Sequence, residues 1–250
     1  TDSAYVQTFD AITYDDKRHK GKNIIARLNK SNPNRILLCA HWDTRPIADQ
    51  DIRNQNSPIL GANDAGSGVG VIIAIIDALK QNPIKLGVDI VFFDLEDYGQ
   101  PQNSGQTPME NSWCLGSQYW SKNTGYEILP RWGILLDMVG GKNATFLKEE
   151  MSYTYASNLL NRVWRNGQGL GYENYFLSEP MGALTDDHVY VNQLAGIPTI
   201  DIIHYKLNNA GFADYWHTHN DNLSSVDILS LKAVGDAVLY TIREDDNMLQ

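Results

Sequence analysis

Four short apolar runs constrain the fold of this chain more than any other feature. They are Arg35-Ile36-Leu37-Leu38-Cys39-Ala40, Val88-Asp89-Ile90-Val91-Phe92-Phe93, Gly133-Ile134-Leu135-Leu136 and Thr199-Ile200-Asp201-Ile202-Ile203. Runs of this length, without an in–out alternation, read as central strands covered on both faces. Helical patterns lie between them. Gly68–Lys80 is almost wholly apolar until Asp77, which suits a buried helix, and Met151–Asn166 carries Leu159, Leu160 and Val163 on one side. Near the C-terminus Leu231, Val234, Val238 and Ile242 recur three or four apart, an amphipathic stripe with Ser224 and Asp227 as candidate caps. A polar N-terminal segment, through about Lys22, leads into one more strand candidate, Asn23-Ile24-Ile25-Ala26-Arg27-Leu28. Strands alternating with helices predict an α/β fold, a mostly parallel, doubly wound mixed sheet with helices on both faces. No repeat, low-complexity tract or long linker divides the chain, so residues 1–250 are expected to form a single domain.

Composition removes several function classes. The formal net charge of −10 disfavours nucleic acid or an anionic membrane as a partner, since both require basic surface. It suits a site that gathers carboxylates around a metal, or one that receives a cation. No stretch approaches the ~20 consecutive apolar residues of a membrane span. The aromatic content of 10% and the aliphatic runs supply a core and exclude disorder. Two cysteines, Cys39 and Cys114, are too few for a disulfide framework and lack zinc-finger spacing; whether they pair is left open.

In a parallel sheet, ligands bind beyond the carboxyl ends of the strands. The residues that follow the four runs are therefore the first to inspect. His41 and Asp43 follow the first, Asp94, Glu96 and Asp97 the second, and Asp137 the third; the fourth leads after a loop to His217. Between the first two runs, Gly61-Ala62-Asn63-Asp64-Ala65-Gly66-Ser67-Gly68 opens the buried helix, and Asp186-Asp187-His188 precedes another short run. So many carboxylates cannot share one site while ionised unless a positive group joins them. Oxygen and imidazole donors without cysteine suit a catalytic Zn²⁺, with three protein ligands, an open position and a Lewis-acid role toward a carbonyl. His19, His204 and His219 are assigned structural or surface places.

From about Ile36 to Arg243 these pieces, in this order, resemble the zinc-dependent M28 peptidases. The matching segments are Ala40-His41-Trp42-Asp43-Thr44, Gly61-Ala62-Asn63-Asp64, Phe93-Asp94-Leu95-Glu96-Asp97, Leu136-Asp137-Met138, Asp186-Asp187-His188 and Trp216-His217-Thr218. In the aminopeptidase branch the resemblance implies two zinc ions, one on His41, Asp64 and Asp137, the other on Asp64, Asp97 and His217, with Glu96 as the base that activates water. A second branch, the glutaminyl-peptide cyclotransferases of animals and their bacterial relatives, uses one zinc and converts an N-terminal glutamine to pyroglutamate with loss of ammonia. Phe212-Ala213-Asp214-Tyr215-Trp216-His217-Thr218, the Asp186-Asp187-His188 run and Trp42-Asp43-Thr44-Arg45-Pro46 resemble that branch. The Gly61–Gly68 loop resembles the aminopeptidases at least as well, and Asp97 stands where both branches usually carry Glu. A shorter ligand there requires a shifted backbone.

The resemblance implies a glutaminyl cyclase with Asp64, Asp97 and His217 on one zinc. A second metal through His41 and Asp137 stays open. Glu96 is expected to carry the proton from the attacking amine to the departing ammonia, with Asp186 and Asp137 as partners for a shared proton. Trp216, Trp113 and Phe212 are expected to wall a small apolar pocket that folds the glutamine side chain back on its amine. The expected partners are peptide or protein N-termini beginning with Gln. The alternatives are a two-zinc aminopeptidase and, more remotely, an inactive binding module on the same fold. The chain opens on Thr1-Asp2-Ser3, which fits a trimmed mature chain, and the resemblance suggests export from a bacterium. Oligomeric state is left open.

Overall fold

The computed structural model describes residues 2–101, 104–208 and 211–248. The strands are β1 (Ser3–Ile12), β2 (Arg18–Leu28), β3 (Arg35–His41), β4 (Gly87–Phe93), β5 (Gly133–Asp137), β6 (Phe146–Glu149), β7 (Phe176–Met181) and β8 (Thr199–Ile203). The α-helices are α1 (Gly66–Gln81), α2 (Leu115–Lys122), α3 (Glu150–Gly169), α4 (Asp187–Tyr190) and α5 (Ile228–Asn247). Six strands form one sheet in the order β1-β2-β4-β3-β5-β8, and β6 and β7 form a small parallel pair beside it. The four expected central strands are the parallel part, while β1–β2 and β2–β4 are antiparallel. The fold is thus the mixed, mostly parallel α/β sheet the sequence predicts.

Alternation along β3 explains why these runs are mostly apolar on both sides. Ile36, Leu38 and Ala40 pack with Val71 and Ile72 of α1, Leu160 and Val163 of α3, and Val234 and Val238 of α5. Leu37 and Cys39 point to the other side, against Trp120 of α2 and against Val191 and Ile197. Both faces are covered, so every strand position is buried and no polar alternation survives. The α5 cap is Asp227, which accepts the Leu229 N–H at 3.0 Å; Ser224 does not fill that position.

Strand β1, helix α2, the α4 turn and the β6–β7 pair lie outside the sequence reading. The polar N-terminal segment is a β-hairpin, with β1 on the sheet edge paired to β2 over its whole length. Along β1 only Phe9 is buried, so the strand is held by its backbone ladder and its sequence carries little apolar signal. Helix α2 buries small residues, Gly116, Ser117 and Ser121, around a single Trp120, which leaves no periodic stripe. The short run after Asp186-Asp187-His188 is helical, α4 followed by a π-helical turn at Val191–Ala195. No helix among the described residues is long and apolar enough to cross a membrane.

The parallel register brings strand ends level, with His41 opposite Phe93 and Asp137 opposite Ile203. Helix α1 is drawn against the end of β5 at Gly68, where a Cβ would stand 2.1 Å from the Leu136 carbonyl oxygen. A backbone oxygen cannot move aside as a side chain can. Gly68→Ala gains less than about 1 kcal/mol of helix propensity, and overpacking costs about 1–3 kcal/mol. The variant is therefore expected to be net destabilised, read as a lower urea midpoint with an unchanged slope. A midpoint at or above wild type would refute this close approach.

Candidate active site

Acids and histidines converge at the carboxyl edge of the sheet around a cavity of about 400 Å³. Asp64, Glu96, Asp97, Asp137, Asp186 and His217 all line it. Two donor sets share Asp64. In one, His217 Nε2 is 3.0 Å from Asp97 Oδ1 and 3.7 Å from Asp64 Oδ2. In the other, His41 Nε2 is 3.0 Å from Asp64 Oδ1 and 3.1 Å from Asp137 Oδ1. Donors bonded at 2.0–2.1 Å around a tetrahedral Zn²⁺ stand about 3.3 Å apart, so the His217 set has the right span. Asp97 Oδ2 is buried and has no hydrogen-bond partner among the described residues, as a carboxylate made for a cation would. The shorter Asp97 side chain thus still reaches His217.

Glu96 sits beside this set rather than within it. Its carboxylate, the Cys114 thiol and Asp186 each place one polar atom within 4.8 Å of the others. Cys114 Sγ donates to Glu96 Oε1 at 3.2 Å, and the Cys114 N–H donates to the Glu96 carbonyl at 3.0 Å. Both cysteines are free. Asp137 stands with His41, so of the two expected proton-sharing acids Asp186 is the neighbour of Glu96.

Burial pushes the Glu96 carboxyl well above its ordinary range; His41 opposes this, and Asp97, Asp186 and Asp187 reinforce it. Burial, with Asp137 next, lifts Asp186 to about 6. Burial together with Asp97 and Asp137 lifts Asp64 to about 7. Burial alone would lower His217, but Asp97, Asp49 and Asp64 outweigh it and hold it at about 9. These are the responses of a carboxylate cluster that shares protons when no cation joins it.

The three expected aromatic residues meet at the same cavity. Trp216 stacks on His217 with centroids 3.8 Å apart, Phe212 lies 4.7 Å from Trp216, and Trp113 lies nearly parallel to His217 at 6.1 Å. The other histidines stand apart from the donor sets. His19 packs on Tyr98, His219 contacts Asp51, and burial lowers His204 to about 4.

Several residues that shape the site have no role in the sequence reading. Asp43 accepts the N–H groups of Glu96 and Asp97, each at 3.1 Å. Asp221 accepts those of Asn63 and Asp64 at 2.8 and 3.0 Å. Arg45 and Asp49 lie behind His217. Among the described residues nine non-glycines have positive φ, and five are Asn or Asp, which tolerate it. The other four, Leu95, Cys114, Met138 and His217, are all at or beside the site. Each costs on the order of 1–3 kcal/mol and persists only where its surroundings over-determine it.

The sequence matches the profile of peptidase family M28 across residues 23–242. The chain belongs to peptidase family M28. A solved glutaminyl cyclase from Bacteroides thetaiotaomicron, bound to N-acetylhistamine, is 46% identical with a TM-score of 0.91, over 95% of this chain and 82% of that one. A Zn-dependent exopeptidase from Parabacteroides distasonis is 44% identical with a TM-score of 0.92, over 96% and 83%. Aminopeptidase YwaD of Bacillus subtilis is 25% identical over 86% of this chain, which spans only 42% of that relative's length.

One wall of this M28 site depends on Glu149, which caps α3. Its oxygens accept the N–H groups of Met151 and Ser152 at 2.8 and 2.6 Å, and that of Leu184, on the cavity rim, at 3.0 Å. His188 Nε2 approaches at 3.2 Å. Burial would raise the Glu149 pKa, but His188 and the two helix N–H groups outweigh it and hold it at about 2. A folded-state pKa below the unfolded value contributes stability at high pH. That contribution is complete above about 4.5 and fades as the pH falls toward the folded value. Glu149→Gln is therefore expected to be less stable than wild type at neutral pH, with the gap closing across that acid window. Urea titrations at a series of pH values check this; a constant gap would refute it.

Proposed function

We propose that this M28 protein is a glutaminyl-peptide cyclotransferase that converts the N-terminal Gln of peptides or proteins to pyroglutamate and releases ammonia. The observation that carries the reading is the aromatic enclosure of Trp113, Phe212 and Trp216 packed against the His217 donor set, with Glu96 at its side. The 46% identity to a solved glutaminyl cyclase supports it. Asp64, Asp97 and His217 fit a zinc ion, which when bound would supply a Lewis acid for the γ-carbonyl oxygen of the substrate.

The chain's own residues account for the rest. The substrate's α-nitrogen forms a bond to its own γ-amide carbon, and the bond from that carbon to the amide nitrogen breaks. Nucleophile and electrophile belong to one side chain, so the enclosure that holds it folded supplies much of the rate. The rings restrict glutamine rotamers and keep out water, which would otherwise compete as nucleophile. Glu96 takes the proton from the attacking amine and returns it to the leaving nitrogen, which departs as ammonia. A base with a raised pKa suits this shuttle near neutral pH. Asp186 is the neighbour able to share the proton, and the Cys114 thiol holds one Glu96 oxygen. Export of the chain belongs to the same reading, on its resemblance to the bacterial cyclases.

Peptide hydrolysis is the second reading, and one observation favours it: His41, Asp64 and Asp137 form a complete second donor set. Incubation of zinc-loaded protein with a Gln-initiated peptide is expected to release ammonia and pyroglutamyl product in equal amounts. Glu96→Gln is expected to lower turnover on the order of 10²-fold or more, and a loss under about tenfold would remove Glu96 from the shuttle. Absence of turnover, or cleavage of leucine anilides in its place, would reject the cyclase. Elemental analysis is expected to find one zinc per chain; two would support hydrolysis.

A further inference from the structure

Arg45 lies just beyond β3, and its side chain is buried. A buried guanidinium is tolerated only when its charge and its donors are matched. Nε donates to Asp49 Oδ1 at 2.9 Å, and Nη2 donates to Asp49 Oδ2 at 3.4 Å. Nη1 donates to the carbonyls of Asp97 at 2.5 Å and Gly99 at 2.8 Å. Its Cζ stands 4.6 Å from the centroid of the Trp113 ring. Gly99 leaves room for that ring, since a Cβ there would lie 1.9 Å from Trp113 Cδ2.

Each contact leads to a different part of the site. Asp97 is one of the proposed zinc donors. Asp49 Oδ1 is 3.1 Å from Nδ1 of His217, the ring nitrogen not used by the donor set. The contact is electrostatic, its angle lying outside that of a hydrogen bond, and a carboxylate at that nitrogen favours the tautomer protonated there, which leaves Nε2 for a metal. Trp113 is a wall of the cavity. Only a planar fork can serve a carboxylate, two carbonyls and an indole at once; the single ammonium of lysine cannot span them.

We propose that Arg45 is a positioning residue that locks zinc donors and pocket wall into one unit, holding Asp97 directly, His217 through Asp49, and Trp113 by its ring face. The proposal rests on the metal assignment made under the cyclase reading.

The test compares zinc affinity, by competition with a chromogenic chelator, and cyclase kinetics for the wild-type chain, Arg45→Lys, Arg45→Met, Asp49→Asn and the Arg45→Met/Asp49→Asn pair. Arg45→Lys and Arg45→Met are expected to melt cooperatively without zinc yet bind it roughly 10- to 100-fold more weakly. KM for a Gln peptide is expected to rise as Trp113 loosens. The double variant is expected to lose less zinc affinity than the two single losses combined, since both act on His217. Zinc affinity of Arg45→Lys within about threefold of wild type overturns the proposal, as do additive losses. An Arg45→Lys chain that does not fold also overturns it, because the role would then be structural. Because the chelator readout does not depend on the reaction, a wild type that binds zinc without cyclising rejects the cyclase reading and still leaves the affinities to decide the role of Arg45. A wild type that binds no zinc removes both.

Discussion

Carboxylates crowded into a site closed to water repel one another, and most of this molecule's local architecture answers that repulsion. Asp64, Glu96, Asp97, Asp137 and Asp186 are all buried at one sheet edge. Against them the site sets two histidines and one buried arginine. The balance is met by proton uptake, with Asp64 lifted to about 7, Asp186 to about 6 and Glu96 also raised. A divalent cation meets the same deficit with a fixed charge and releases those protons, since ligands must be deprotonated to bind. The acid that stands beside the donor set is not itself a ligand, so binding the cation does not require it to give up its proton.

Geometry has to hold what electrostatics would push apart. The acids are not held mainly by their own side chains. Asp43 and Asp221, set behind them, each accept two consecutive backbone N–H groups and thereby fix the turns that carry Glu96 with Asp97, and Asn63 with Asp64. The left-handed backbone at Leu95, Met138 and His217 re-aims the chain at the point where each strand or loop must deliver a functional group. Such conformations in residues that resist them are sustained by those clamps and by the close approach of α1 to β5 at Gly68.

The readable part of this arrangement was the part carried by periodicity and by strand ends. A fully buried parallel strand has no polar alternation, so β3, β4, β5 and β8 stand out, and the residues just past them became the candidate site. Strand β1 and helix α2 were hidden because one presents an edge to water and the other packs through small residues. Within the site, every residue singled out for the donor set, the base and the aromatic walls lines one cavity. The supporting residues were not readable. Asp49 and Asp221 are ordinary acidic residues in sequence and Asp43 is visible only as an acid past a strand end; their roles arise from backbone N–H groups and ring nitrogens that only the fold brings near them. Asp137 was expected both beside His41, by the resemblance, and beside Glu96 as a proton partner, and the fold brings it to His41.

The two reactions considered for this scaffold differ in where the nucleophile comes from. Hydrolysis brings water from outside, so the groove must admit it and varied side chains. Cyclisation brings the nucleophile in with the substrate, so closure costs nothing and suppresses the competing attack. Three aromatic side chains beside the His217 donor set favour the second. The His41 set then needs another account. His41 Nε2 lies between Asp64 Oδ1 and Asp137 Oδ1, and Nδ1 faces Asp43 Oδ1 at 3.5 Å. Asp64, Asp137 and Asp43 outweigh burial and raise its pKa well above the ordinary imidazole value. Under the one-zinc reading, a protonated His41 is the positive charge that joins Asp64 to Asp137, where a second ion would sit in a hydrolase.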